Sequence, residues 1–211
     1  MKSIKSKKGK LIAVFGPDGS GKSAVYNLLK DKCKREKIQL EQNHWRPGFF
    51  AYKKNLIKDY AQNNFSAPHN NKSRSKIVSS VILFYIFFDF LFGYIFKIRP
   101  KLKKGVNVYY ERYFYDIMVD QVRYHLKTPV LLRQILSKLV FRPDQTVILE
   151  APSETIYNRK QELTIDEITK QQKRLVKIFK RTKHLVVIDV LANNAEESAE
   201  IVFNLIINKD A

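Results

Sequence analysis

The sequence predicts an α/β fold, a three-layer sandwich in which helices cover both faces of a five-stranded parallel sheet. Three observations predict it. Short apolar runs alternate with helical periodicities along the whole chain. The runs 146–149 and 185–188 are apolar on both faces, as strands covered on two sides must be. The 211 residues suffice for one sizeable core but not for two ordinary enzyme domains, so one domain spanning 1–211 is expected.

Strands are expected at 10–15, 38–44, 106–110, 146–150 and 185–189. After the first strand and a glycine-rich turn, Val25, Leu28 and Leu29 set a helical period. Cys33 falls in line with them and reads as a buried small hydrophobe; a lone cysteine forms no internal disulfide. The stretch 61–75 is polar and rich in asparagine, with Pro68 inside it, and is expected to be a mobile loop.

The stretch 77–96 holds mostly apolar residues with basic flanks and a single acid, Asp89; its length would cross a bilayer. A single crossing, however, would put the first strand and the strand at 106–110 on opposite sides of a membrane and split one sheet. An acid at the bilayer centre is also costly. The expectation is a helix that is buried or rests on a membrane, with Asp89 facing the site or a buried partner. Further helices are expected at 130–140, 165–181 and 195–208. Their starts are marked by Pro129 after Thr128, by Thr164 with Glu167, and by Asn194 with Glu197.

Lysine and arginine total 39 against 20 acids, a net charge of +19. Nucleotides, nucleic acid and an anionic membrane surface all offer phosphates to such a charge, which does not choose among them. No nucleic-acid-reading motif accompanies it. The apolar run 11–15 has strand length and leads into glycines, not into a cleavage site. A cytoplasmic location is expected, with peripheral contact at the inner membrane face as the alternative. The sequence leaves the oligomeric state open, a homodimer included.

One motif carries chemistry. Residues 16–23 read Gly16, Pro17, Asp18, Gly19, Ser20, Gly21, Lys22 and Ser23, between a strand and a helix. That context makes the run a P-loop. Its glycines let backbone amides converge on phosphate, and the helix N-terminus adds positive potential. ATP contacts are assigned to Gly16, Gly19, Ser20, Gly21, Lys22, Ser23 and Ala24. Lys22 reaches the β and γ phosphates and the Ser23 hydroxyl ligates Mg²⁺.

A P-loop alone does not distinguish hydrolysis, transfer or switching. The strand ending at Tyr110 is followed by Glu111 and Arg112, at the carboxyl edge where ligands of open α/β sheets collect. Glu111 is placed near Mg²⁺, and Arg112 near the transferring group or an acceptor phosphate, with a surface ion pair as the plain alternative. Arg159 and the basic residues after it form a candidate lid over ATP, within 157–174. Asp116, Asp120 and Arg123 follow at spacings that put them on one side of a helix. Trp45 reads as core or as a stacking surface. The four histidines share no metal-ligand spacing.

With these residues in view, the chain resembles the thymidylate kinase family, and more closely the thymidylate-kinase-like proteins of cell-surface polysaccharide gene clusters. The likeness rests on the P-loop, on His44, Trp45, Arg46, Pro47 and Gly48 after the second strand, on residues 111–116, and on residues 159–163. It implies a nucleoside monophosphate kinase-like P-loop NTPase fold with an acceptor-side helical insertion at about 49–104. It implies that Asp18 faces the acceptor hydroxyl, that Arg46 and Arg112 face acceptor phosphate, that Tyr113 and Asp116 line the acceptor, and that Arg159 lies in the lid. The family's Asp-Arg-Tyr is Glu111, Arg112 and Tyr113 here, and no arginine follows Asp89, where Phe90 stands.

The reading is therefore an ATP- and Mg²⁺-dependent transfer of the γ-phosphoryl group to a nucleoside monophosphate resembling dTMP. A kinase of a sugar or lipid-linked glycan at the membrane face is the enzyme alternative. A nucleotide-binding regulator or nucleic-acid-stimulated ATPase is the alternative of another class.

Overall fold

The computed structural model describes residues 8–50, 75–120, 122–180, 182 and 184–208. The stretch expected to be a mobile loop lies, apart from Ser75, outside the described residues.

Five parallel strands form one sheet: β1 (Leu11–Phe15), β2 (Leu40–Asn43), β3 (Asn107–Glu111), β4 (Gln145–Glu150) and β5 (Leu185–Asp189), in the order β2-β3-β1-β4-β5. Strand β1 is central, and each of its residues is 0% exposed. Its side chains alternate between the two faces. Ile12 and Val14 pack with Val25, Leu29 and Cys33 of α1 (Lys22–Arg35) and Val202 and Phe203 of α8 (Ala195–Ile207). Leu11, Ala13 and Phe15 pack on the other face, among side chains of the helices α2 (Lys76–Gly93), α5 (Val130–Leu139) and α7 (Ile165–Phe179). The three layers follow from that alternation, and Cys33 is buried as expected.

The structure continues β3 one residue beyond the predicted strand, because Val14 of β1 still pairs with Glu111. The carboxylate therefore sits on the sheet itself, with a rigid backbone beneath it. Two of the three predicted caps form: the Thr164 side chain accepts the Glu167 amide at 3.3 Å, and Asn194 and Glu197 close a reciprocal capping box, whereas α5 starts after Pro129 with no side-chain cap and the Thr128 hydroxyl does not serve it. Such a box satisfies two amides that the helix leaves free.

Helix α2 is capped by Ser75 and runs on through a π-helical turn (Tyr94–Ile98) into α3 (Arg99–Lys103). Leu83, Ile86, Phe87 and Phe90 enter the core beside Phe15 and Tyr110. Ile77, Val81, Phe84 and Phe88 lie on the exposed side. By length and composition 76–103 qualifies for crossing a membrane, but its inner face is packed against the sheet. Near its end, Gly93 lies under Pro47: a Cβ there would come within 2.3 Å of the proline Cβ. The short helices α4 (Asp116–Val119) and α6 (Ser153–Arg159) complete the described elements.

Candidate active site

The turn from β1 into α1 crosses the carboxyl edge of the sheet. Gly19 and Gly21 both have φ of 90°, a conformation that costs a residue with a side chain. A Cβ on Gly19 would also approach the Ile156 carbonyl to 3.0 Å, so α6 lies directly against the loop. Gly21 caps α1 without a side-chain bond. The amides of the first turn are thus left for a ligand, and an anion is what they favour. Ser23 and Ala24 are exposed on that turn, whereas Ser20 is fully buried, its hydroxyl without a hydrogen-bond partner among the described residues.

Lys22 folds back over the loop, its Nζ donating to the Gly16 and Pro17 carbonyls, each at 2.7 Å. Burial pushes the ammonium down to about 8; Asp18 opposes that shift and Arg112 adds to it. The lysine is held on oxygen acceptors that a phosphate oxygen can replace.

Asp18 is the centre of a cluster. Arg112 and Arg123 each donate a guanidinium N–H to its carboxylate, one to each oxygen, and Lys22 Nζ lies 3.8 Å away. Burial alone would raise the Asp18 pKa, but Arg112, Lys22 and Arg123 together hold it well below the usual carboxylate range. Burial likewise opposes charge on Arg112, and Asp18 and Asp116 outweigh it, so its pKa is raised. Arg112 has φ of 68°, a left-handed backbone directly after β3 that turns its side chain over the P-loop. Its other nitrogen is 3.6 Å from Asp116, whose carboxylate accepts the Tyr124 hydroxyl. Asp120 receives Arg123 Nε at 3.4 Å and Gln171 Nε2 at 3.0 Å.

Glu111, beside this cluster, accepts Gln42 Nε2 at 3.3 Å and has His44 Nδ1 at 3.3 Å from its other oxygen. Glu111 and Asp116 both act on the Lys22 ammonium.

The loop after β2 supplies a further cation. Arg46 Nε donates to Asp89 Oδ2 at 3.0 Å, and its guanidinium lies 5.0 Å over the Tyr85 ring. Burial would lower the Arg46 pKa; its hydrogen bond to Asp89 and the charge of that residue raise it. Asp89 therefore has a buried partner, as expected. The arginine absent beside Asp89 in sequence comes instead from the loop after β2. Trp45 stacks on Tyr124 with ring centroids 4.6 Å apart.

The structure thus brings together Asp18, Lys22, Glu111, Arg112 and Asp116 from the sequence-predicted set. Tyr113 goes elsewhere. It is fully buried, packs edge-on against Phe90 and Tyr110, and donates its hydroxyl to the Phe141 carbonyl at 3.0 Å. It belongs to the core and does not line the cluster as an acceptor residue, because the left-handed turn at Arg112 sends the next side chain inward. Arg159 is exposed at the end of α6. Arg123, grouped with Asp116 and Asp120 by spacing alone, is a full member of the cluster. Tyr124 and Gln171 gave no sequence signal.

Comparison with known families decides the membership. The thymidylate kinase family model matches residues 14–206, from inside β1 to the end of α8. The chain belongs to the thymidylate kinase family. The protein is therefore an ATP-dependent phosphotransferase, and the activity of this kinase family is phosphorylation of a nucleoside monophosphate. No curated protein matches the chain. The matched span of the kinase takes in all of the clustered residues named above.

Proposed function

We propose that this kinase moves the γ-phosphoryl group of ATP to a dTMP-like nucleoside monophosphate. The observation that carries the proposal is the convergence of Lys22, Arg112 and Arg123 on the Asp18 carboxylate at the P-loop. Three cations around one removable anionic contact suit a reaction whose demands are positioning and charge neutralisation.

The amides of 19–24 receive the donor phosphates, with Gly16 opening the turn. Lys22 exchanges the Gly16 and Pro17 carbonyls for the β and γ phosphates. Arg112 and Arg123 transfer part of their hydrogen bonding from Asp18 to the acceptor phosphate, and the released carboxylate accepts the acceptor hydroxyl. Arg46, held by Asp89, adds a third cation to that phosphate. Asp116, steadied by Tyr124, faces the acceptor.

The oxygen donors Ser23 and Glu111, the one exposed on the first turn of α1 and the other on β3, fit a hard cation such as Mg²⁺. Held there by Ser23 and Glu111, Mg²⁺ would supply positive charge against the phosphates. Glu111 keeps its orientation through Gln42 and His44. The segment 157–174 acts as a lid that excludes water, with Arg159 turned toward the donor on closing. The region 49–104 serves the acceptor side of one domain, and the enzyme works in the cytoplasm.

The test is coupled detection of ADP over a panel of nucleoside monophosphates, sugars and glycan fragments. ADP formation dependent on dTMP is expected. Turnover with glycan and none with any nucleoside monophosphate would overturn the assignment.

A further inference from the structure

Behind the Asp18 cluster, α4, α5 and α7 line a half-open cavity of about 630 Å³. Its charged lining consists of Asp120, Arg133, Glu167, Arg174 and Lys177. The two carboxylates are already engaged: Glu167 by Arg174 at 3.0 Å, and Asp120 by Arg123 and Gln171. Arg133 is different. It is only 7% exposed, donates one N–H to the Ile117 carbonyl at 3.3 Å, and its Nε meets no acceptor among the described residues. Among the described residues no carboxylate pairs with Arg133 or Lys177.

A guanidinium buried without a counter-ion is costly, and a carbonyl oxygen does not neutralise it. Burial, and then Arg174, lower the Arg133 pKa, as an uncompensated cation beside another cation requires. Arg133 and Lys177, beside an Arg174 already shared with Glu167, suit an anion with several oxygens, which the guanidinium fork binds in two-point fashion. Met118, Val130 and Ile178 give the remaining wall an apolar character. The volume is that of a small-molecule site, for which roughly 300–1,000 Å³ is usual.

We propose that this cavity is a second anion site, separate from the P-loop, that takes a small phosphate-bearing molecule with its phosphate on Arg133, Arg174 and Lys177. None of the P-loop residues lines it. Asp120, which does, is bonded to Arg123 of the catalytic cluster.

The probe is inorganic pyrophosphate, titrated calorimetrically into the full chain carrying Lys22→Ala, so that the P-loop lysine does not contribute. The result expected is saturable binding that weakens at least tenfold on adding Arg133→Met and several-fold on adding Lys177→Gln. In phosphate-free buffer Arg133→Met should melt no lower than its parent, since it removes a buried charge without a partner. Absence of binding, or affinity unchanged in both added variants, overturns the proposal. Should Arg133→Met fail to fold, Lys177→Gln, an exposed position, decides alone. The difference between wild type and Lys22→Ala reports the P-loop separately, so failure here is distinct from failure of the kinase assignment.

Discussion

Asp89, 0% exposed on α2, accepts the Nε–H of Arg46 at 3.0 Å and the amides of Gly48 and Phe50 at 3.2 and 2.7 Å. One carboxylate thus fixes an arginine and the loop that bears it. Asp89→Asn should leave Arg46 buried beside a neutral group. Breaking one side of a buried pair costs about 3–5 kcal/mol. Urea unfolding should show that loss, and steady-state kinetics should show a raised KM for the acceptor with ATP affinity retained. Wild-type stability together with an unchanged acceptor KM would refute the role given to Asp89.

Lys22 provides a pH signature. Its folded-state pKa of about 8 lies below the 10.5 of the free side chain. Between those values the unfolded chain binds the proton and the folded chain does not. Stability from this group therefore rises with pH across the window, and its penalty is complete below about 8. Bound phosphates favour the ammonium, so ATP binding near pH 8.5 should take up a proton and weaken as pH rises further. Calorimetry in two buffers of different ionisation enthalpy measures the uptake. Equal heats in both would count against a lysine held on the Gly16 and Pro17 carbonyls.

Arg123→Ala should lower kcat/KM by roughly 10²-fold, the scale for removing one donor to developing charge. Arg112→Ala should cost a similar amount, because each guanidinium holds Asp18 and one further carboxylate, Asp116 for Arg112 and Asp120 for Arg123. In both variants ATP affinity should stay near wild type, as measured by direct titration. A loss confined to ATP binding would move both arginines to the donor side.

The two glycines with φ of 90° separate strain from crowding. Gly21→Ala meets nothing within 4 Å, whereas Gly19→Ala meets the Ile156 carbonyl at 3.0 Å. Each should lose about 1–2 kcal/mol from the backbone conformation alone. Gly19→Ala should lose more, and it should also displace α6. Thermal melts of the pair rank the two effects, and equal losses would show that α6 gives way freely.

The strands, the P-loop and the helix caps were legible because each depends on residues close in sequence. Continuous apolar, β-branched runs mark β4 and β5, and Thr164 and Asn194 need only a partner three residues on. The pairing of Arg46 with Asp89 was less legible. Arg46 and Asp89 lie 43 residues apart, and nothing in either neighbourhood names the other. Arg123 lay within reach of inference through its spacing to Asp120, but its contact with Asp18 depends on the left-handed turn at Arg112, which no local rule requires of an arginine. Tyr113 shows the reverse error: it follows a functional arginine, yet its position after that turn sends it into the core.

Gly93 carries a consequence for tolerance to change. A helix interior with glycine gives up about 1 kcal/mol relative to alanine, so by local preference alanine ought to be the better residue. Here a single added methyl would strike Pro47 at 2.3 Å and lift the segment that seats Arg46. Saturation mutagenesis scored for both expression and turnover should find position 93 as restrictive as the phosphate loop, although it touches no reactant.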